Sequence, residues 1–521
     1  MSVHAASSAA REPVAAGVTA PAAPAPVAPA SPGAPKPPAA GPTRRVARGH
    51  RLLLGAERAL AACDRGLGRW IPPEWNPFVQ AGQATNAALL IAVVSGVAML
   101  LWYSPSLQFA YSSLAGASAG TVGGVVRGVH RYSADLMMLF LLVHAVRVFV
   151  VRKFTGARWL PWVSGIGLLG VVWFIGWTGY WLVWDQPAQQ VAVTSMRLLD
   201  GIPIFGEPLG RLYVSDRTVP SLLFFVVFFL HMLLPLTIAV GLAIHLARVG
   251  RVRLMPPRGL TALLCGALVL AAILAPAPLD QPAQMAVKPA SLVVDSWYLW
   301  PLALSLRLQD AGLWLSLAGI VVLGTTVPWW LSRRAPAPTG GAESTVARGA
   351  GPVASAAAVE PTRSPRVALG VLAVVLVAVV VSVVPSLGRL SNPASPEPEL
   401  VLSFKVLADL IPQGAAAAVV DESTPVHMRG RAVEKPRRHE VVVQLTVGGQ
   451  TWERRYEAKG ISHDGPAIGE WRVPLQRGPQ TVAIDLHLGP GHTQRWQGVV
   501  TGEERRLRVI TYETAGGWLA E

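Results

Sequence analysis

Four histidines occupy two apolar stretches at one shared interval: His130 and His144 lie 14 residues apart in the first, His231 and His245 lie 14 residues apart in the second. In an α-helix, fourteen steps of about 100° return a side chain to within about 40° of its starting direction after a rise of about 21 Å. Each helix therefore presents two histidines on one face at two depths. If the helices lie side by side, His130 meets His231 at one depth and His144 meets His245 at the other. Neutral imidazole is an axial ligand for haem iron, and two of them leave no open position, which favours electron transfer over oxygen chemistry. The alternative is packing or hydrogen-bonding histidines in a helical bundle. Matched spacing on two helices weighs against it, as does the cost of ionisable groups inside a membrane span, where they default to function.

Glycines repeat the interval. Gly82 and Gly96 are 14 residues apart in one neighbouring apolar stretch and Gly165 and Gly179 in another. A helix without a side chain at these depths can accept the edge of a flat macrocycle; helix packing through small residues is the other reading. Arg127 precedes His130 by three residues and Arg147 follows His144 by three. Both are candidates to pair with haem propionates, and Arg147 is equally read as an anchor at the membrane surface.

The elements that must hold these residues are membrane spans. The 521 residues are 52% hydrophobic and only 14% charged, a balance suited to lipid rather than to a water-soluble globule. The formal net charge of +15 falls in short Lys/Arg clusters between apolar runs. These are topology signals, and nucleic acid is not an expected partner. Two cysteines, Cys63 and Cys265, give no covalent haem motif, no iron–sulfur framework and no disulfide scaffold. Apolar runs at 82–103, 129–151, 162–184, 220–247, 258–276, 311–331 and 367–385 are each long enough to cross about 30 Å of hydrocarbon. Basic clusters on alternate connections place the N-terminus inside. His130 and His231 then belong to an outer site, and His144 and His245 to an inner one.

The expected fold is an all-α transmembrane bundle of about seven spans with a haem-binding four-helix core, followed by a small all-β, sandwich-like domain. Residues 1–45, dominated by Ala and Pro, read as a disordered tail left in the cytoplasm. Residues 46–250 hold the four-span haem-binding part, which opens with a surface helix between Arg44 and Trp70, and residues 251–334 hold two more spans. The stretch 335–366 is a linker, 367–385 the seventh span and 386–521 an extracytoplasmic β-domain. In that domain the alternation from Glu440 to Val447 and the Gly448-Gly449 pair predict strands and a tight turn. His463 and His492 sit in turn-like contexts without a convergent ligand cluster.

These residues resemble the cytochrome b family of quinol-oxidising bc-type complexes over about residues 50–331. Arg127-Gly128-Val129-His130 and His144-Ala145-Val146-Arg147 resemble the family's second helix, and His231 with Pro235 and His245 its fourth. The segment Gly179 to Gln186 is similar to the end of its third helix, with Val183 where Pro is usual, and Ile202 to Gly206 is similar to the loop that follows. Ile71 to Phe78 and Tyr103-Ser104-Pro105 are similar to the chloroplast-type protein, whereas the 14-residue spacing in the fourth span is similar to the mitochondrial type.

The resemblance implies two non-covalent b-type haems, because Gln80 stands where the chloroplast-type protein attaches a third through cysteine. It also implies a quinol-oxidation pocket on the outer side and a role as subunit of a quinol:cytochrome c, or analogous acceptor, oxidoreductase. The implied partners are a Rieske-type iron–sulfur protein and a cytochrome c subunit, in a homodimeric complex of a bacterial-type inner membrane. Where the family shows Pro-Glu-Trp-Tyr, this chain has Asp295-Ser296-Trp297-Tyr298. Asp295, with Tyr298 beside it, is the nearest substitute for the glutamate that accepts a proton; a solvated loop aspartate is the alternative. Two rival functions stay open: a dihaem electron conduit for another reductase, and a non-redox membrane module with structural histidines.

Overall fold

The computed structural model describes residues 48–154, 158–202, 208–247, 249, 253–305, 307–308, 310–334, 365–392, 394–412 and 437–521. The Ala/Pro-rich tail to residue 45, Pro203 to Gly206 and the linker from 335 to 364 lie outside the described residues.

A surface helix α1 (Arg48–Gly68) leads into α2 (Ala81–Met99), a short α3 (Ala110–Gly116), α4 (Val122–Val150) and α5 (Trp159–Trp181). After these come α6 (Gln186–Asp200), α7 (Ser221–Leu246), α8 (Arg258–Leu274), a short α9 (Trp300–Ser305), α10 (Asp310–Arg334) and α11 (Pro365–Val383). Among the described residues five helical segments are long and apolar enough to cross a membrane: α2, α4, α5, α7, and α11 with the turn that extends it to Leu387. Of the expected fifth and sixth spans, α8 has 17 residues and α10 has 25. Leu101, Leu222, Leu274 and Leu315 stay outward-facing and exposed, as lipid-facing side chains do.

The packing follows from residue size. Ala81, Ala84, Ala87, Ala88 and Ala92 of α2 are buried, and these small side chains let α4 come close along its length. A Cβ on Gly128 of α4 would stand 2.7 Å from that of Ala272 on α8, so these two helices also approach to backbone distance. α5 pairs with α7, while α11 lies across α4 and α8. α4 begins several residues ahead of the apolar run because Thr121 Oγ1 accepts the Gly124 N–H at 3.0 Å and caps it. Asp185 caps α6 in the same way, accepting from Ala188 N at 3.1 Å.

A short strand β1 (Ser291–Val293) after α8 pairs antiparallel with β2 (Arg389–Ser391) after α11. The β-domain follows: β3 (Glu399–Val406), β4 (Val441–Val447), β5 (Gln450–Tyr456), β6 (Ala467–Pro474), β7 (Gly478–Gly489), β8 (His492–Gly502), β9 (Leu507–Glu513) and β10 (Gly517–Ala520). These strands form two four-stranded sheets, ordered β10-β9-β3-β6 and β5-β4-β7-β8. The expected alternation holds, with Val441, Val443, Leu445 and Val447 buried in β4 against Phe404, Trp471 and Ile484. Gly448 and Gly449, at φ 57° and 86°, make the hairpin turn that requires a left-handed backbone at both central positions.

The β-domain rests on the bundle's loops. Lys288 bonds Glu399 at 2.6 Å, Leu507 N donates to Ala286 O at 2.8 Å, and Arg217 meets Glu521 at 3.1 Å.

Candidate functional site

The helix ends nearest the β-domain carry one histidine pair and the opposite ends carry the other. At the near tier, α4 and α7 bring His130 and His231 together with ring centroids 6.3 Å apart and planes at 75°. Metal–imidazole bonds are about 2 Å, so two rings gripping one metal from opposite sides have centroids about 6 Å apart. The observed pair has that spacing. His144 and His245 form the far tier, close enough to couple electrostatically.

Three of the rings are held by their Nδ1. His130 Nδ1 is 2.8 Å from Ala92 O. His231 Nδ1 is 3.0 Å from Ile175 O and 3.3 Å from Thr178 Oγ1, and His245 Nδ1 is 3.1 Å from Ser164 Oγ. A metal-ligating histidine characteristically spends its second ring nitrogen this way, which fixes the tautomer and leaves Nε2 for the metal. The donor set therefore fits two bis-imidazole sites.

Each of the four glycines lies against one of the rings. A Cβ on Gly96 would stand 2.8 Å from His130 Cε1, and one on Gly179 would stand 2.9 Å from His231 Cε1. At the far tier the distances are 3.1 Å from Gly82 to His144 Nδ1 and 3.1 Å from Gly165 to His245 Cε1. The shared interval thus keeps α2 and α5 free of side chains at both histidine depths.

The two arginines are committed to protein partners. Arg127 donates to the carbonyls of Ala277 at 3.0 Å and Pro278 at 2.6 Å, tying α4 to the loop after α8. Arg147 makes a two-pronged pair with Asp64 of α1, at 3.0 and 2.7 Å.

Asp295 is fully buried, not solvated. Its Oδ2 accepts from Tyr180 Oη at 2.7 Å and its Oδ1 from Trp297 N at 2.7 Å. Tyr298, also buried, donates to Ala134 O at 2.7 Å and lies on Gly176, where a Cβ would stand 2.1 Å from its ring. The same pocket holds Asp135 of α4, 1% exposed, a residue the sequence reading passed over because a single aspartate in an apolar helix has no partner visible along the chain. Arg131 stacks over the Tyr180 ring at 5.2 Å and donates to Ser386 O at 2.7 Å.

A narrow crevice opens beside this cluster, lined by Arg127, Arg131, Tyr180, Asp185 and Asp280 among others. Burial pushes the Asp185 carboxyl up to about 6, against the backbone N–H groups of Ala188 and Asp280 that hold it down. Hydroxyl, carboxyl and guanidinium groups thus converge within one side chain's reach of the near tier. The far tier's surroundings in the described residues hold no comparable carboxyl cluster.

Residues 67–252 match the family model described as "Cytochrome b/b6/petB". That segment contains all four histidines and all four glycines. A solved chain titled "Hyperthermophilic respiratory Complex III" is 16% identical, with the match covering 59% of this chain and 90% of that one at a TM-score of 0.33.

Proposed function

We propose that this chain, whose residues 67–252 match the cytochrome b family model, is the cytochrome b subunit of a quinol-oxidising respiratory complex and carries electrons across the membrane between two bis-histidine sites. The observation that supports this most is the tiered pairing of four imidazoles, three of them locked through Nδ1. His130 and His231 would hold one b-type haem and His144 and His245 the other; when bound, these haems supply one-electron redox centres stacked through the bilayer. Gly82, Gly96, Gly165 and Gly179 leave room for the rings and for a flat macrocycle. Arg127, three residues before His130, would serve a haem propionate only by sharing the guanidinium that now bonds the Ala277 and Pro278 carbonyls. Arg147 is assigned to anchoring α1 through Asp64.

Quinol would be oxidised with one hydroxyl at the mouth of the crevice beside the near tier, whose free volume of about 10 Å³ has room for a hydroxyl and not for the ring. Tyr180 orients the substrate hydroxyl and Asp295 receives its proton, with Tyr298 and Trp297 fixing the loop. A Rieske-type iron–sulfur protein and a cytochrome c subunit are the proposed acceptors, in a homodimeric complex. The membrane is proposed to be a bacterial-type inner membrane, with the N-terminus in the cytoplasm and the β-domain outside it.

A dithionite-minus-ferricyanide spectrum with haem quantified per chain tests the haem sites. Acid–acetone should extract all of the haem, and no haem bands would leave a non-redox module as the function. Quinol-driven, inhibitor-sensitive haem reduction tests the substrate. Asp295→Asn should slow it by about 100-fold, within the range that general acid–base groups contribute, with haem content unchanged. A variant with wild-type rate and pH profile would remove Asp295 from the reaction. One observation favours the dihaem conduit as second reading: Ser296 stands in the position where the family carries its glutamate. A haem-replete chain that ignores quinol would establish it.

A further inference from the structure

Asp135 and Asp295 come from elements far apart in sequence, yet their carboxyl groups lie within hydrogen-bonding reach of each other in a site that excludes water. Two carboxylates bring only acceptors to such a contact, so the contact needs a proton. The surrounding donors show where it belongs. Asp295 accepts from Tyr180 Oη and Trp297 N, one donor on each oxygen. Asp135 has an Oδ2 that is shut off from solvent with no donor. The Ser386 hydroxyl, the other polar group against it, already donates to Val383 O at 2.8 Å. Charge balance agrees. Arg131 is the cation of the cluster, and one guanidinium beside two carboxyls is neutral only when one proton is shared between them.

We propose that Asp135 and Asp295 act as one proton-holding pair, the proton on Asp135 and the charge on Asp295, and that Tyr180 passes to this pair the proton released by a quinol hydroxyl in the crevice. The inference rests on the quinol reading above and adds to it the residue that sets the charge of the acceptor. In the transfer, the quinol O–H bond breaks and its proton joins the Tyr180 oxygen. The proton already on Tyr180 moves to Asp295 Oδ2, so Tyr180 ends unchanged and both carboxyls end protonated. A one-electron acceptor would take the electron, either an iron–sulfur centre of a partner or an iron porphyrin that His130 and His231 would hold. Asp135 does not touch the substrate; it is a positioning residue acting through Asp295. The other titratable and charged groups facing the pair are Arg131 and Tyr132 from α4, Tyr180 from α5 and Tyr298 from the loop before α9.

The test uses the full-length, haem-loaded chain and its Asp135→Asn variant, which keeps the shape and a donor toward Asp295 but cannot release a proton. Decylubiquinol serves as the reductant. Haem content and spectrum should match wild type, haem reduction should slow by about 10-fold, and the pH profile of the rate should lose the limb set by the pair. Infrared spectra should show a protonated carboxyl band in the wild type near neutral pH, shifted in D2O and absent from Asp135→Asn. A variant that keeps the band, or one whose rate stays within about twofold with an unchanged pH profile, would overturn the proposal. If Asp135→Asn fails to bind haem, the infrared titration of Asp185→Asn decides alone: a protonated carboxyl that persists near neutral pH without Asp185 supports the pair and its absence refutes it. A wild-type chain that oxidises no quinol would defeat the proposed function, while the infrared band would still judge the pair.

Discussion

The two histidine tiers are built from the same four helices at the same interval, but their surroundings differ in kind. Near the β-domain, His130 and His231 sit beside buried carboxyls, two tyrosines and a polar crevice, under loops clamped by Arg127 and by the β1–β2 pair. At the opposite end, His144 and His245 lie near α1, which a salt bridge from Arg147 to Asp64 holds. Electron relay makes the same demand at both ends, namely two imidazoles and a gap. Proton chemistry makes a further demand, a partly dry cluster of acids and hydroxyls, and only the near end meets it. On the proposed function, the asymmetry separates a place where a substrate would be handled from a place where charge would be passed on.

Removing one tier at a time gives the largest expected effect. His231→Leu should empty the near site and His245→Leu the far one, each halving haem per chain, because a single imidazole leaves the iron without its second axial ligand. Only His231→Leu should also abolish haem reduction by quinol at the crevice. Equal loss from both variants would erase the distinction between the ends. Haem assays and stopped-flow spectra read both outcomes.

A loss of stability on raising the pH should likewise belong to the near end. Asp185 is buried and its carboxyl is lifted from an ordinary 3.8 to about 6. For an acid so lifted, the folded state binds more protons than the unfolded one, so the contribution is full below about pH 4 and is lost as pH rises through about 6. Stability of the wild type should therefore fall across this window by at most about 3 kcal/mol. Asp185→Asn keeps a capping oxygen for α6 and should flatten the dependence, as measured by thermal unfolding in detergent between about pH 4 and pH 7. An unchanged slope would place the titrating group elsewhere.

Much of this site was legible in the sequence, and the reason is periodicity. Histidines and glycines spaced by 14 residues declare their shared face because the helix repeat is fixed, and long apolar runs fix the helices. The resemblance of Asp295-Ser296-Trp297-Tyr298 to a known loop singled out the segment whose Asp295 and Tyr298 are buried beside Tyr180 and Asp135. What stayed hidden depends on contacts between segments distant in the chain. Asp135 looks like one stray acid in an apolar helix until the loop before α9 brings Asp295 to it. Likewise, nothing along the chain shows that Arg147 pairs with Asp64 of α1, and no local pattern in Ser291–Val293 announces a strand partner beyond α11. The β-domain shows the same division: alternation and the Gly448-Gly449 turn were readable, whereas its seat on the loops after α6 and α8 was not.

The glycines offer a finer probe of the tiers. Alanine at Gly96 or Gly179 would put a Cβ at 2.8 or 2.9 Å from a histidine ring, against 3.1 Å for Gly82 or Gly165. Overpacking of this kind costs about 1–3 kcal/mol. The near-tier pair of variants should lie at the upper end, with a weaker or spectrally shifted near haem, and the far-tier pair at the lower end. The same variants separate ring clearance from plain helix packing, since packing alone would lower stability without changing either haem spectrum.

The smallest effect is expected where the far tier meets α1. Arg147 and Asp64 pair through two short contacts, yet their side chains are 21% and 32% exposed. Water and salt screen such a pair, and its loss should cost about 1 kcal/mol or less. Arg147→Gln should therefore loosen α1, seen as faster amide exchange over Arg48–Gly68, while both haems and the quinol rate stay as in wild type. Asp64→Asn should give the same exchange pattern, because either change removes the same pair. If Arg147→Gln instead displaced the far haem while Asp64→Asn did not, the guanidinium would be serving the porphyrin edge directly. The far end would then share with the near end an arginine devoted to its cofactor.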